Sequence, residues 1–461
     1  MLVVKSLSYT YPGSGAPALS DVSLGARAGE CVCITGPSGC GKTTLLLAMK
    51  GLLHAGTLQG EVAVDVPGAS GEHLRTDVGL VFQNAESQIL CSTVAEEVAF
   101  GPENLCVPPH EIRERIRGAL EDVRLTGFES RNVERLSAGQ KHRLAIASVL
   151  SMRPRVLLLD EPTSQLDATG KSELAAVLRH LKTLGYVLVI VEHNLEPFGE
   201  LADRYLVMEN GRILEVSDRI PPRYAQSRSP GAAPDAPRRA GAGRGDVPCV
   251  VAEDLCLSYP GVGEVLRGVG LAISRGERVH LHGQNGSGKS TLLACVAGAI
   301  EPDSGSIRVA GRKVTGRNGL FGTVGYLFQN PQRQLFENTV FEEVAFSLKR
   351  LRLPEPAVHR HVMDALEVCE ASHLAARLPL SLSFGEQHRV ALASVIAPRP
   401  AVLLLDEPFS GLDLAQRHRL LEILARWNEK ESTTVLIASH DPLPARGWPD
   451  RVLTLEGGAL A

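Results

Sequence analysis

The sequence predicts an α/β fold that is built twice in one chain. Five segments of the first half return in the second half at an offset of 246 or 247 residues, beginning with GPSGCGKTT at 36–44 and GQNGSGKST at 283–291. Each Gly-rich segment follows an apolar strand and precedes an apolar helix. Each half also contains the run VLLLDE, which is typical of a parallel strand buried on both faces. Repeats held at one offset indicate two homologous α/β halves.

The halves are expected at residues 1–216 and 249–461, joined by a flexible linker at 217–248. This linker is rich in Pro, Gly, Ala and Arg and has almost no large apolar residues, which is typical of a solvated tether. Its arginines leave open a contact with anionic lipid or with a partner.

Composition narrows the classes of function. The 461 residues are 44% hydrophobic and 22% charged, as in ordinary globular proteins, and the net charge of -4 argues against nucleic acid as the main partner. We find no apolar run of about 18 residues and no signal peptide, so neither a membrane span nor secretion is expected. Nine cysteines without zinc-type spacing indicate reduced thiols in a cytosolic protein.

The Gly-rich segments match Gly-x4-Gly-Lys-Ser/Thr, the pattern of loops whose backbone amides wrap phosphates. Lys42 and Lys289 are expected to reach the outer phosphates, and Thr43 and Ser290 to bind Mg²⁺. The predicted nucleotide-binding residues of these loops are Gly36, Gly39, Gly41, Lys42, Thr43, Thr44, Gly283, Gly286, Gly288, Lys289, Ser290 and Thr291.

Two acids close each VLLLDE run. The buried strand holds its acidic end rigidly, so Asp160 and Asp406 are predicted to hold the metal. Glu161 and Glu407, one residue further, are predicted to polarise an attacking water. The alternative is that these acids only cap a neighbouring strand.

A histidine and a glutamine follow further apolar runs in each half. His193 and His440 recur 33 and 34 residues after the aspartates, and we expect both to contact the γ-phosphate as catalytic residues. The alternative is an ordinary surface histidine. Gln83 and Gln329 head loops from which they are predicted to reach Mg²⁺ and water and to sense a partner.

Taken in order, these motifs, with LSAGQ at 136–140 and LSFGE at 382–386, resemble the ATP-binding-cassette (ABC) superfamily, in both halves. The resemblance implies two tandem P-loop NTPase domains, each with a RecA-like core, an antiparallel β subdomain and a helical signature subdomain. It also implies a pseudodimer of the two halves with two composite ATP sites. In that arrangement Ser137 and Gly139 address ATP held at Lys289, and Ser383 and Gly385 address ATP held at Lys42.

The same resemblance implies further contacts. Tyr11 and Tyr259 are expected to stack on adenine, with Tyr9 as a competitor in the first half, and Asp167 and Asp413 match the loop that crosses the interface. The signatures have Ala138 and Phe384 where the family favours Gly, but both keep the Ser and the second Gly. Because both glutamates and both histidines are present, we predict two sites that hydrolyse ATP.

Within the superfamily, FQNAESQILCSTVAEEVAFGPENL and FQNPQRQLFENTVFEEVAFSLKRL resemble the ATPases of energy-coupling-factor (ECF) importers, through Gln88, Gln334 and the T-V-x-E-E-V-A-F run. This implies a peripheral protein on the cytoplasmic face of the membrane. Its partners would be a transmembrane ECF coupling subunit and a small substrate-binding membrane protein, importing a vitamin, a vitamin precursor or a metal ion. A plain core helix is the alternative for VAEEVAF.

An ABC-type translation factor, or another tandem ABC ATPase without a role in transport, is the alternative for the whole chain. It would need a long charged helical linker, and residues 217–248 contain Pro and Gly throughout, which disfavours a helix.

Overall fold

The computed structural model describes residues 1–64, 74–164, 166–222, 248–261, 263–315, 320–445 and 447–461. The chain divides into two units, Met1–Ser229 and Pro230–Ala461. Most of the expected linker, 223–247, lies outside the described residues. The last strand of the first unit ends at Ser217 and the first strand of the second begins at Pro248.

The first unit is built on a six-stranded sheet in the order β5-β6-β7-β3-β8-β9, in which all neighbouring strands are parallel except β8 and β9. Its strands are β3 (Cys31–Thr35), β5 (Val78–Val81), β6 (Val156–Asp160), β7 (Val187–Val191), β8 (Arg204–Glu209) and β9 (Arg212–Ser217). Every residue of β3, β5, β6 and β7 is buried, which explains why these strands are continuous apolar runs. The expected parallel sheet is confirmed.

A three-stranded antiparallel sheet in the order β2-β1-β4 lies beside this core. Its strands are β1 (Leu2–Thr10), β2 (Leu19–Ala26) and β4 (Thr57–Val64). The helices are α1 (Lys42–Lys50), α2 (Leu74–Asp77), α3 (Val94–Asn104), α4 (Pro109–Asp122), α5 (Ala138–Leu150) and α6 (Ala168–Thr183). Helices α3, α4 and α5 pack on one another and form a helical layer, and the LSAGQ segment lies at the start of α5.

The second unit repeats this plan. Its six-stranded sheet has the order β15-β16-β17-β12-β18-β19 and its smaller sheet the order β11-β10-β13-β14. The strands are β10 (Pro248–Tyr259), β11 (Gly263–Ser274), β12 (Arg278–His282), β13 (Ser304–Val309), β14 (Arg312–Lys313), β15 (Val324–Leu327), β16 (Val402–Asp406), β17 (Thr434–Ser439), β18 (Arg451–Glu456) and β19 (Ala459–Leu460). The helices are α7 (Lys289–Val296), α8 (Val340–Arg350), α9 (Glu355–Val368), α10 (Phe384–Ile396) and α11 (Leu414–Glu431).

The strand order decides which motifs meet. The phosphate loop follows β3, and the two acids lie at the end of β6. The histidine follows β7 and the glutamine follows β5. These four strands are neighbours in the sheet. Since the carboxyl ends of parallel strands lie at one edge, four segments that are distant in sequence converge there. Among the described residues, no helix has the length and apolar character that crossing a membrane requires.

Candidate active sites

The phosphate loop of the first unit depends on glycine at two close backbone approaches. Gly36 has φ +154°, and a Cβ there would lie 2.1 Å from the carbonyl oxygen of Met208. Gly41 has φ +105°, and its Cβ would lie 2.5 Å from the carbonyl oxygen of Ala18. Lys42, the first residue of α1, is buried, and its Nζ donates to the carbonyl oxygens of Gly36 (2.8 Å) and Pro37 (3.0 Å).

The second phosphate loop has the same construction. A Cβ on Gly283 would lie 2.5 Å from the carbonyl oxygen of Leu455. Lys289 Nζ donates to the carbonyl oxygens of Gly283 (2.8 Å) and Gln284 (3.0 Å). In both units the lysine therefore braces its own loop, and its contact with phosphate stays a prediction.

The residues predicted to bind Mg²⁺ meet in pairs. Thr43 Oγ1 donates to Asp160 Oδ2 (2.9 Å), and Ser290 Oγ donates to Asp406 Oδ1 (2.9 Å). Burial, reinforced by the charge of Glu161, raises the pKa of Asp160 to about 6, and the Thr43 hydrogen bond opposes this. Burial also raises the pKa of Asp406.

The donor set fits a magnesium ion in the first unit. Hydroxyl and carboxylate oxygens are the ligands that Mg²⁺ prefers. Asp160 Oδ1 is buried and has no hydrogen-bond partner within the described part of the chain, so an oxygen is available for a metal or its bound water. In the second unit the Tyr326 hydroxyl donates to Asp406 Oδ2 at 3.3 Å. Leu80 occupies the position of Tyr326 in the first unit.

Each predicted catalytic glutamate sits in a left-handed backbone conformation directly after its strand. Glu161 has φ +44° and Glu407 has φ +46°, a conformation that non-glycine residues adopt at a cost and that is common in functional sites. The amide of Glu161 donates to Val191 and that of Glu407 to Ala438. These bonds tie the turn to the neighbouring strand and direct both carboxylates to the edge where the motifs converge.

The two carboxylates have different partners. Glu161 accepts from Gln83 Nε2 (2.8 Å) and lies 3.0 Å from His193 Nε2. Glu407 lies 2.9 Å from His440 Nδ1 and 3.4 Å from Lys289 Nζ. The structure thus brings each predicted glutamate and histidine together, while their action on water and phosphate stays a prediction.

The two glutamines differ accordingly. Gln83 is half-buried against Glu161, whereas Gln329 is exposed at the matching position. The neighbouring Gln88 and Gln334 hold the loop in both units. Gln88 Oε1 accepts from Phe82 N (3.1 Å), and Gln334 Oε1 accepts from Phe328 N (3.0 Å). The predicted contact of Gln83 and Gln329 with the metal is untested.

The signature residues lie at the starts of helices. Ser137 caps α5, where its Oγ accepts from Gln140 N (3.2 Å), and Gln140 Oε1 accepts from Ser137 N (3.1 Å). Ser383 lies at the matching position before α10, where its backbone amide (2.9 Å) and its Oγ (2.7 Å) both donate to Glu386 Oε2. Both serines are exposed, and Gly139 and Gly385 follow in the first turn. Free amides at a helix start attract anions, which suits the phosphate contact predicted for these residues.

The remaining predicted residues occupy defined positions. Tyr11 is 40% exposed and its hydroxyl lies 3.1 Å from Thr44 Oγ1, whereas Tyr9 is 2% exposed and packs on Tyr11 edge-on. Tyr9 is therefore a core residue, and Tyr11 is the one whose ring is available to a base. Tyr259 is half-buried at the end of β10, in the smaller sheet of its unit.

The aspartates expected to cross the interface cap helices within their own units. Asp167 Oδ1 accepts from Gly170 N (2.8 Å) at the start of α6, and Asp413 Oδ1 accepts from Gln416 N (2.8 Å) at the start of α11. Their role at an interface stays a prediction.

Two polar residues of the sites were missed by the sequence analysis. Glu192 directly precedes His193 and is buried, and Tyr326 ends next to Asp406. Burial raises the pKa of Glu192. A carboxylate closing the apolar strand before a candidate histidine was the available signal for Glu192. Tyr326 gave none, because an aromatic residue in a strand is ordinarily read as core.

Comparison with known proteins agrees with this arrangement. A family model described as ABC transporter matches residues 19–164 and 266–410. The chain is similar to an ABC transporter ATP-binding protein of Methanosarcina acetivorans, at 36% identity over 526 residues, 99% of this chain and 84% of that protein. A counterpart from Caldanaerobacter subterraneus is 34% identical over 516 residues, 100% of this chain and 90% of that protein.

Among solved structures, cbiO1 from Clostridium perfringens, described as part of the ABC transporter complex cbiONQ, is 32% identical. The match covers 46% of this chain and 87% of that chain, with a TM-score of 0.44. The family model matches each unit across its phosphate loop and its acidic strand end, and the relatives match along almost the whole sequence. The chain therefore belongs to the ABC transporter family, as a protein with two tandem ATPase domains.

Proposed function

We propose that this protein is the ATP-hydrolysing subunit of an ECF-type importer, bound peripherally to the cytoplasmic face of the membrane. It would couple ATP binding and hydrolysis to the uptake of a vitamin, a vitamin precursor or a metal ion through separate membrane subunits. The support is a repeated apolar surface around the glutamine loops, together with the T-V-x-E-E-V-A-F segments that resemble ECF ATPases.

The apolar surface consists of three positions in each unit. Leu90 is 68% exposed and Phe336, at the matching position, is 60% exposed. Phe82 and Phe100 match Phe328 and Phe346 in the same way, and all four are also exposed. The rings of Phe336 and Phe346 meet edge to face with centroids 4.9 Å apart. Single exposed apolar residues are common, but three exposed apolar positions that recur at the same offset in both units favour a protein partner.

A buried glutamate holds each exposed tip in place. Glu97 Oε2 accepts from the backbone amides of Leu90 (2.8 Å) and Cys91 (2.9 Å). Glu343 Oε2 accepts from the amides of Phe336 (2.7 Å) and Glu337 (2.9 Å). Each carboxylate gives the backbone amides of a short loop a hydrogen-bond acceptor. It therefore fixes the exposed apolar residue of that loop in position. Glu97 and Glu343 are the second glutamates of the two T-V-x-E-E-V-A-F segments. This position of the motif therefore serves to hold the exposed loop.

At each site the chain's own residues divide the work of hydrolysis. Lys42 and Lys289 would bind the outer phosphates, and Glu161 and Glu407 would orient and polarise the attacking water. Thr43 with Asp160, and Ser290 with Asp406, would hold Mg²⁺, which supplies neutralising charge at the phosphates. His193 and His440 adjoin the glutamates and would sense the γ-phosphate.

We further propose, from the family resemblance, that each signature helix completes the ATP site whose phosphate loop belongs to the other half. Ser137 and Gly139 would address ATP at Lys289, and Ser383 and Gly385 would address ATP at Lys42. Closure on ATP would then pull on the coupling subunit, and hydrolysis would reverse it. An isolated, strictly monomeric first half that hydrolyses ATP as fast as the full chain would contradict this proposal.

Membrane association tests the importer proposal directly. The full chain is expressed with a tag in its native cells, and the integral membrane proteins that co-purify in detergent are identified. We expect a transmembrane subunit and a small membrane protein. The double variant Leu90→Asp/Phe336→Asp should recover at least about tenfold less membrane protein. The reason is that two buried apolar contacts, worth about 1.5–3 kcal/mol each, would be replaced by charged side chains.

The matched control is Leu214→Asp, which places the same charge at an apolar residue that is 58% exposed on β9, outside the proposed surface. It should retain the membrane subunits. ATP-dependent migration with ribosomes and none with membranes would support the translation-factor alternative and overturn the importer proposal.

A further inference from the structure

The two units differ at one buried position next to the histidine. Glu192 follows β7 and is 3% exposed, while Ser439 ends β17 at the matching position. Both precede their histidine directly. A fully buried carboxylate is rare, and it destabilises the fold unless its oxygens accept hydrogen bonds. The contacts of Glu192 therefore indicate its role.

Glu192 joins two segments of the first site. Its Oε1 accepts from Thr163 N (2.9 Å) and from Thr163 Oγ1 (2.5 Å), and its Oε2 accepts from the backbone amide of His193 (3.0 Å). Thr163 lies two residues after Glu161 in the same turn. One carboxylate therefore ties the segment that carries the catalytic glutamate to the segment that carries the histidine.

The second unit has a different arrangement at this place. Ser439 Oγ donates to the carbonyl oxygen of Asp441 (2.6 Å) and lies 2.9 Å from Nε2 of the buried His280. Phe409 replaces Thr163. The backbone amide of His440 donates to Glu407 Oε2 (3.3 Å) instead of to a separate carboxylate.

The orientation of the histidine ring follows the partner of its backbone amide. His193, whose amide is held by Glu192, meets Glu161 Oε1 through Nε2 at 3.0 Å. His440 directs both its amide and Nδ1 at one oxygen of Glu407, while its Nε2 lies 3.6 Å from Asp441 Oδ1, beyond hydrogen-bond distance. Because an ionised carboxylate only accepts hydrogen bonds, the ring nitrogen that faces it carries the proton. The two histidines therefore meet their glutamates through opposite ring nitrogens.

We propose that Glu192 is a positioning residue of the first ATP site, whose carboxylate fixes His193 so that Nε2–H meets Glu161. With Ser439 in its place, the second site presents Nδ1–H of His440 to Glu407. The two sites then run the same reaction with differently oriented histidines, and a displacement of the Thr163 segment is transmitted to His193 in the first unit.

Nitrogen NMR of the nucleotide-free full chain with ¹⁵N-labelled imidazoles tests the proposal, at about pH 8, where unperturbed histidines are neutral. His193→Gln and His440→Gln assign the two signals. We expect a protonated Nε2 for His193 and a protonated Nδ1 for His440. Glu192→Ser should move His193 to the His440 pattern, whereas Ser439→Ala, the matched control, should leave the His440 tautomer as it is.

Kinetics provide the second readout. In a Glu407→Gln background, which isolates the first site, Glu192→Ser should lower kcat about tenfold and leave KM for ATP within about twofold, because geometry and not nucleotide affinity is disturbed. Thr163→Val removes one of the three hydrogen bonds to Glu192 and should lower kcat by less, which keeps the test decisive if Glu192→Ser does not fold. Identical tautomers in the wild-type chain, or a His193 signal and kcat unmoved by Glu192→Ser, would overturn the proposal.

Discussion

The two units carry the same motifs in the same order, yet their catalytic glutamates are set in different surroundings. Glu161 pairs with Gln83 and with Nε2 of His193, and the buried Glu192 adds a further carboxylate beside it. Glu407 pairs with Lys289 and with Nδ1 of its histidine. A motif therefore specifies which groups meet, while the residues beside it specify how they are charged and oriented.

The metal pairs show the same contrast. Asp160 retains a buried oxygen without a partner among the described residues, but both oxygens of Asp406 accept hydrogen bonds, from Ser290 and Tyr326. The aspartate of the first metal pair thus keeps an open acceptor, whereas both carboxylate oxygens of the second accept hydrogen bonds within the unit. Four experiments test whether the two sites differ in this way and which features they share.

Removing the catalytic carboxylates should have the largest effect. Glu161→Gln and Glu407→Gln, made separately, should each leave substantial ATP turnover, because each removes one site. The double variant should fall by about 10²-fold or more, since general-base catalysis is lost at both. Steady-state ATPase assays measure this. A Glu407→Gln variant at the full wild-type rate would contradict two working sites.

The stability of the fold at acid pH should depend on a buried histidine that both units have at matching positions. Burial lowers the pKa of His142 and of His388 to about 4. An unfolded histidine gains a proton below pH 6.5, while these remain neutral when folded, so the unfolded state binds more protons and stability falls from about pH 6.5 to pH 4. Each should contribute up to about 3 kcal/mol of this loss.

His142→Gln and His388→Gln should therefore flatten the pH dependence of the free energy of unfolding, as measured by urea denaturation at several pH values. The comparison with the wild-type chain cancels the groups common to both, including the oppositely acting Asp160, whose pKa is raised to about 6. An unchanged slope in both variants would show that these imidazoles are accessible to protons when folded.

The Mn²⁺ affinities of the two sites should differ by a factor smaller than the effects described above. Tyr326→Phe frees one oxygen of Asp406. In a Lys42→Ala/Glu407→Gln background, which disables ATP binding at the first site and hydrolysis at the second, the Mn²⁺ affinity of the ATP-bound protein should rise about threefold, roughly 0.6 kcal/mol. Electron paramagnetic resonance measures bound Mn²⁺ without relying on turnover. The reciprocal change, Leu80→Tyr in a Lys289→Ala/Glu161→Gln background, should weaken Mn²⁺ binding at the first site. Equal affinities throughout would remove Tyr326 as a source of the difference.

The smallest effect concerns Cys40, which stands in the first phosphate loop where the second has Ser287. The thiol is 6% exposed, and burial raises its pKa, which disfavours the reactive thiolate. Maleimide at neutral pH should modify the exposed Cys106 well before Cys40, as followed by mass spectrometry. Rapid labelling of Cys40 in a Cys106→Ser variant, blocked by ATP, would instead show an open loop with a reactive thiol.

The duplication, the α/β class, the phosphate loops and the acids at the ends of buried strands can all be predicted from the sequence. These features are encoded locally. Glycine is required wherever a Cβ would strike the backbone, as at Gly36, and a strand buried on both faces must be continuously apolar, as at Val156–Asp160.

Which side chains face one another depends on the tertiary structure. The sequence predicts Tyr11 for adenine but leaves Tyr9 as a competitor, and the packing buries Tyr9 and exposes Tyr11. Glu192 and Tyr326 became site residues only because the sheet order puts β5, β6, β7 and β3 side by side, and β15, β16, β17 and β12 likewise. Hydrogen bonds depend on distances between strands that are remote along the chain, and no local pattern records those distances.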